Sequence, residues 1–172
     1  PYGLIDLFGS EDKFLAKLDA LFLITDKVEG EEASPDISGL IGQYAQGNEP
    51  NHHIPYLYAY AGQPWKTAKL IREIDDKFYS TKPDGLCGNE DLGQMSAWYV
   101  FSAMGFYSVN PANGIYILGS PLVNNATVKN KNGISFTLNA IDNSSTNIYI
   151  QKAEYNGKPY TKSYITHDMI VK

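Results

Sequence analysis

The chain has a single cysteine, Cys87, so no disulfide can close within it and thiol pairing says nothing about compartment. No apolar run approaches the roughly 18–20 residues of a membrane-crossing helix. Basic side chains nowhere cluster, and the formal charge of −5 excludes the phosphate-tracking surface of a nucleic-acid binder. There is no Gly-rich phosphate loop and no serine elbow flanked by glycines, which excludes nucleotide chemistry and serine hydrolysis. Internal repeats and low-complexity segments are absent as well. The opening Pro1-Tyr2-Gly3-Leu4 is neither a signal peptide nor an initiator methionine, and the expectation is a segment cut from something longer.

What is present is a folded-chain composition. With 172 residues and 43% hydrophobic content, the sequence can bury one sizeable core or two small ones. Thirteen Tyr, seven Phe and two Trp are many for this length; most such rings pack cores, and flat amphipathic rings also suit the apolar faces of sugars.

The first two thirds carry helical periodicity. Ser10 caps a helix with Glu11 and Asp12 in its first turn and Phe14, Leu15, Leu18, Leu21 and Phe22 on one face. An acidic loop over residues 29–36 precedes a short helix expected over 37–45, ending near Gly47. Asn48-Glu49-Pro50 opens the next helix, with Asn48 as cap, through Ile54, Leu57, Tyr58 and Ala61 to Gly62. Pro64 starts its antiparallel partner, whose stripe is Ala68, Leu70, Ile71, Ile74 and Phe78, with Arg72, Glu73, Asp75, Asp76 and Lys77 mostly on the wet side. A last helix, buried by Met95, Trp98, Tyr99, Val100 and Phe101, is expected from about Gln94 to Met104, stopped by Gly105.

Beyond Gly114 the period becomes two. Residues 115–118, 126–128, 134–138 and 148–150 read as strands, with Asn132-Gly133 and Asn156-Gly157 as two-residue hairpin turns. The fold class is therefore α+β, with a helical unit over 1–110 and an antiparallel β unit over 111–172 packed on it.

Three constellations can carry chemistry. In Gly88-Asn89-Glu90-Asp91-Leu92-Gly93, two acids stand on a glycine-flanked loop before an apolar helix; a carboxylate there can activate water if a partner acid protonates a leaving group. The plainer alternative is that Asp91 caps the helix and Glu90 is solvated. In Gly47-Asn48-Glu49-Pro50-Asn51-His52-His53, oxygen donors suit Ca²⁺ and the two histidines suggest zinc. Adjacent histidines diverge by about 100° on a helix, which makes them poor partners in one tetrahedral site, and Glu49 equally answers the helix dipole. Ser34-Pro35-Asp36 with Gln43 is a weaker polar cluster, and the triplets at Asn125 and Asn143 match glycan acceptors but are read as strand and loop.

The runs Gly47-Asn48-Glu49-Pro50-Asn51-His52-His53-Ile54-Pro55-Tyr56, Ala61-Gly62-Gln63-Pro64-Trp65, Asp84-Gly85-Leu86-Cys87-Gly88-Asn89-Glu90-Asp91 through Ser96-Ala97-Trp98-Tyr99, and Gly119-Ser120-Pro121 resemble glycoside hydrolase family 92, the exo-acting α-mannosidases, chiefly α-1,2. The resemblance implies an inverting, Ca²⁺-dependent hydrolase with an N-terminal β-sandwich and an (α/α)6 toroid, of which residues 1–110 would be the last part. It maps Asp91 to the general base. The family's common pattern has Asp at both the Asn89 and Asp91 positions, so Asn89 replaces an acid and passes, with Glu90, His52 and His53, to substrate binding. Glu49 is the implied metal ligand. The general acid of the family lies in a Glu-Gly-Asn-Ala-Trp-type motif that this sequence does not contain. The expectations are thus α-mannoside glycans, mannans or N-glycans, as partners, a periplasmic, cell-surface or secreted bacterial setting, and a fragment inactive without the N-terminal part of the same enzyme. Helix faces left bare could pair the fragment into a homodimer. The other class of function is a non-catalytic carbohydrate-binding or structural module.

Overall fold

The computed structural model describes residues 1–24 and 37–172. The acidic loop and the Ser34-Pro35-Asp36 cluster lie outside the described residues.

Helix α1 (Tyr2–Phe8), for which the sequence carried no signal, ends at left-handed Gly9 and turns into α2 (Glu11–Leu23). The Ser10 hydroxyl accepts from the Lys13 amide at 3.3 Å, the expected cap. Phe14, Leu15 and Leu18 of α2 meet Ile5, Leu57, Tyr58 and Leu70 in a first core lobe.

The helix expected over 37–45 is instead a small hairpin, β1 (Leu40–Ile41) against β2 (Tyr44–Ala45). Gly39 and Gly42 take φ values of +64° and +61°, left-handed steps that a helix cannot contain. The single helix expected from Asn48 to Gly62 is likewise broken. It consists of two 3₁₀ turns, Glu49–Asn51 and Ile54–Tyr56, and one α turn, α3 (Leu57–Tyr60), and the Asn48 side chain makes no cap. Pro50 and Pro55 lack the amide hydrogens that a continuous ladder needs.

Helix α4 (Pro64–Phe78) has its expected bounds and buries Leu70, Ile71 and Ile74. Its polar face is not all wet: Arg72 is 9% and Asp75 4% exposed. Arg72 reaches across to the β unit, donating Nε–H to Ser120 Oγ at 2.9 Å and its terminal nitrogens to the Pro121 and Ser144 carbonyls and Asn143 Oδ1. Neither Asp75 oxygen has a hydrogen-bond partner. Burial pushes this carboxyl up to about 8, opposed by the Arg72 guanidinium and reinforced by Asp76. The folded chain therefore keeps a proton that the unfolded chain loses above its ordinary value of 3.8, and stability falls as pH rises from about 4 to about 8. Asp75→Asn should flatten that dependence and raise stability at about pH 8 by on the order of a few kcal/mol. Urea unfolding at about pH 5 and pH 8 measures it; equal slopes for both proteins would refute it.

Helix α5 (Gln94–Met104) also has its expected bounds, closed by Gly105 at φ +99°. Met95, Trp98 and Ser102 are buried and Tyr99 half-buried, whereas Val100 and Phe101, expected as anchors, lie exposed. Strand β3 (Phe106–Asn110) pairs antiparallel with β4 (Ile115–Leu118), so one sheet straddles residue 110. Ile117 of β4 packs with Tyr56, Ile71, Ile74 and Trp98 in a second lobe shared by helices and sheet.

Strands β5 (Asn125–Lys129) and β6 (Ser135–Asn139) form the expected hairpin, with Lys129 opposite Ser135, one residue off the register that a two-residue turn at 132–133 would set. Its turn is longer than two residues: the Asn130 amide donates to Ile134 O at 2.9 Å and Asn130 Oδ1 takes the Asn132 and Ile134 amides. The Asn156-Gly157 turn is the expected two-residue type, both residues left-handed, between β7 (Ala153–Tyr155) and β8 (Lys158–Tyr160). Residues 148–150, expected as a strand, are not one; the Ile148 carbonyl accepts instead from Ser120 Oγ at 2.7 Å. Strand β9 (Tyr164–Thr166) completes the β3-β4-β9 sheet, and α6 (His167–Val171) closes a third lobe around Phe106, Ile165 and Ile170. The result is a mixed helical and antiparallel fold. Among the described residues no helix is long and apolar enough to cross a membrane.

Candidate active site

The glycine loop and the Glu49 turn are far apart in sequence and adjacent in space. After α4 the chain doubles back through a Tyr79–Leu86 bridge, with the Ser80 amide on Gly85 O at 2.9 Å. This return brings Gly88 against the backbone of Gly47, so close that a Cβ on Gly88 would lie 2.7 Å from Gly47 O. Gly88 is a glycine because two main chains meet there.

Past Gly88 the backbone is unusual. Asp91 (φ +49°), Leu92 (φ +55°) and Gly93 (φ +92°) are three successive left-handed residues, two of them with side chains. Leu92 projects fully into solvent. Non-glycine residues adopt this region at a cost, so the segment must be held by its surroundings. Glu90 does much of that: Oε1 accepts the Ser96 amide at 3.1 Å and Oε2 the Ser96 hydroxyl at 2.7 Å, while its carbonyl takes the Met95 amide at 3.2 Å. Glu90, expected to be solvated, thus holds the first turn of α5 by its side chain, with Gly93 at the N-cap position. Asn89, Glu90 and Asp91 are all exposed at the loop crest.

On the facing turn, Glu49 is exposed. The two histidines diverge. His52 is 1% exposed, with Nε2 at 3.0 Å from Gln46 O and Nδ1 at 3.2 Å from Gln94 Nε2. A carbonyl only accepts, so Nε2 carries the hydrogen and Nδ1 accepts from the amide. Burial holds its pKa below the ordinary imidazole value, partly offset by the Gln46 carbonyl and Glu49. His53 is half-buried and is also lowered by burial, against the Pro50 carbonyl.

Sequence reasoning placed Trp98 in the core but missed the hydrogen-bonded frame of amides and tyrosines behind both segments. Trp98, wholly buried, donates Nε1–H to the His52 carbonyl at 3.0 Å and stacks on Tyr79 at 5.8 Å. Gln46 accepts from Tyr44 Oη and donates to Tyr79 Oη at 2.8 Å; Gln94 Nε2 lies 3.4 Å from Tyr107 Oη. The signal available was position: Gln46 and Gln94 are the amides directly beside Gly47 and Gly93.

Among the described residues no three His, Cys, Asp or Glu gather as a metal cage. Ca²⁺ takes six to eight oxygens. Glu49 offers one carboxylate, and the described residues by themselves do not make a complete cation site.

The catalytic-domain model of glycosyl hydrolase family 92 matches residues 1–172. The chain belongs to that family. The family GH92 alpha-mannosidase from Bacteroides thetaiotaomicron solved in complex with mannoimidazole is 46% identical, with a TM-score of 0.87 over 93% of this chain and 21% of that one. A family GH92 inverting mannosidase from the same organism is 41% identical, with a TM-score of 0.82 over 99% of this chain and 24% of its own. An uncharacterized secreted glycosidase of Arthroderma benhamiae is 31% identical over 171 residues, 98% of this chain and 20% of that protein. The family 92 chain described here thus spans about a fifth of the length of these relatives.

Proposed function

We propose that this chain is the C-terminal portion of an inverting, Ca²⁺-dependent exo-α-mannosidase, α-1,2 in preference, that releases terminal mannose from mannans or N-glycans in a periplasmic, cell-surface or secreted setting. The observation that carries the reading is the packing of the Asp91 loop on the Glu49 turn through Gly88 and Gly47, in a chain that belongs to glycosyl hydrolase family 92. The helices up to Met104 are assigned to the last part of an (α/α)6 catalytic domain and the sheet and hairpins from Phe106 onward to a β unit packed on it, the expected division at 110 moving upstream because β3 pairs with β4.

Asp91 is the general base. Its carboxylate takes a proton from water as that water attacks the anomeric carbon, and the glycosidic oxygen leaves with a proton from an acid elsewhere in the polypeptide. Inversion sets the two carboxyls roughly 6.5–9.5 Å apart, with the water between. Asn89, Glu90 and His53 are assigned to sugar binding; His52, expected among them, is 1% exposed and is assigned instead to holding the turn from behind. Glu49 would be one ligand of a Ca²⁺, which when bound would hold sugar hydroxyls and favour ring distortion.

The test is mannose release from α-1,2-mannobiose by the chain alone and by the full-length enzyme that carries it. Release by the full-length enzyme only is expected. Release by the chain alone would overturn the division of the acid and base, and binding without turnover by the full-length enzyme would favour a carbohydrate-binding module.

A further inference from the structure

The Asp91 loop and the Glu49 turn are joined by more than the contact of two glycines. The Asp91 carbonyl accepts the Gln94 amide at 3.1 Å, the Gln94 side chain donates to His52 Nδ1 at 3.2 Å, and the His52 amide donates to the Glu49 carbonyl at 3.1 Å. Three hydrogen bonds thus lead from the proposed base to the proposed metal ligand, and Gln94 supplies two of them.

The chemistry of the middle link is specific. His52 Nε2 is committed as donor to the Gln46 carbonyl, so Nδ1 presents a lone pair and requires a donor. The Gln94 NH₂ is that donor, and its second hydrogen points to Tyr107 Oη at 3.4 Å. The amide is thereby fixed in one of its two flips. A carboxylate at residue 94 would set acceptor against acceptor, and an apolar side chain would leave Nδ1 buried without a partner. Trp98, one turn along α5, takes the same histidine by its carbonyl, so ring and main chain of His52 are both pinned to the helix that starts at the base loop.

We propose, resting on the mannosidase reading above, that Gln94 is a positioning residue: it locks His52 as the Nε2–H tautomer and through it sets the register of the Asp91 loop against the Glu49 turn. It touches no substrate.

The experiment uses the full-length enzyme with ¹⁵N-labelled histidine, the His52 signal being assigned by its loss in His52→Asn. Long-range ¹H–¹⁵N spectra should place His52 in a single Nε2–H form, and Gln94→Met should shift Nδ1 toward the value of a nitrogen that accepts no hydrogen bond. In turnover of α-1,2-mannobiose, Gln94→Met should lower kcat by roughly 10- to 100-fold, the scale seen when the partner that orients a metal-bound histidine is lost, with KM changed less than threefold and a melting temperature lowered by the unpaired Nδ1 without loss of the fold. An Nδ1–H or averaging His52 in the wild type overturns the proposal, as does wild-type kcat in Gln94→Met. The spectra decide the tie independently of turnover, so a wild-type enzyme that releases no mannose fails the mannosidase reading and leaves the tautomer result standing. If Gln94→Met does not fold, Gln94→Glu tests the same link by the same two readouts, and an undisturbed His52 signal there overturns it.

Discussion

Asp91→Asn in the full-length enzyme should lower kcat on α-1,2-mannobiose by roughly 10²- to 10⁴-fold, the usual contribution of a general base, while the melting temperature stays where it is. The second half of that expectation comes from the backbone. Asp91 sits at φ +49°, and Asn tolerates the left-handed region at least as well as Asp, so the substitution removes proton affinity and leaves loop geometry intact. Asp91→Ala lacks that tolerance and should lose both activity and stability. Neighbouring Asn89 cannot take over, because an amide does not accept a proton at this pH. Glu90 cannot either, since both its oxygens are engaged by Ser96. Retained turnover in Asp91→Asn would remove Asp91 from the mechanism.

How far the sequence foretold this arrangement depended on whether the deciding partner was local. The bounds of α4 and α5 were legible because Pro64, the apolar stripe and Gly105 act within a turn of their own helix. The Asn156-Gly157 turn was legible for the same reason. Residues 37–45 misled because the spacing of Ile37, Leu40, Ile41 and Tyr44 also fits a helix, and nothing local shows that Gly39 and Gly42 are used for positive φ rather than for smallness. Arg72 and Asp75 read as solvated because the groups that bury Arg72, Ser120 and residues 143–144, lie 48 to 72 positions downstream. The hold of Glu90 on α5 was not legible because three left-handed residues intervene: Glu90 reaches Ser96 over a stretch that no ordinary capping box spans. At the site, the motifs exposed Asp91, Glu49 and the glycines, whereas the burial of His52 and its tie to Gln94 are facts of packing between segments some forty residues apart.

The glycine contact makes the second large prediction. Gly88→Ala should cost about 1–3 kcal/mol of stability and at least about 10²-fold in kcat, because the new methyl would sit 2.7 Å from Gly47 O and 2.8 Å from Gly47 Cα. Both are main-chain atoms, so relief requires moving one whole segment away from the other, which is the displacement the proposed chemistry tolerates least. Gly47→Ala supplies the contrast. Its methyl would first meet Ser38 Oγ at 2.1 Å, a side-chain end that can rotate away, and then the Ser38 and Cys87 carbonyls at 3.1 and 3.2 Å. Its effect should therefore be smaller on both counts. Gly3→Ala, inside α1 with nothing within 4 Å, should be neutral or stabilising by roughly 0.5–1 kcal/mol. Thermal unfolding and turnover of the three variants rank them. A Gly88→Ala enzyme with wild-type melting and turnover would mean that the two loops do not meet at this distance, and the site built on their contact would fall with it.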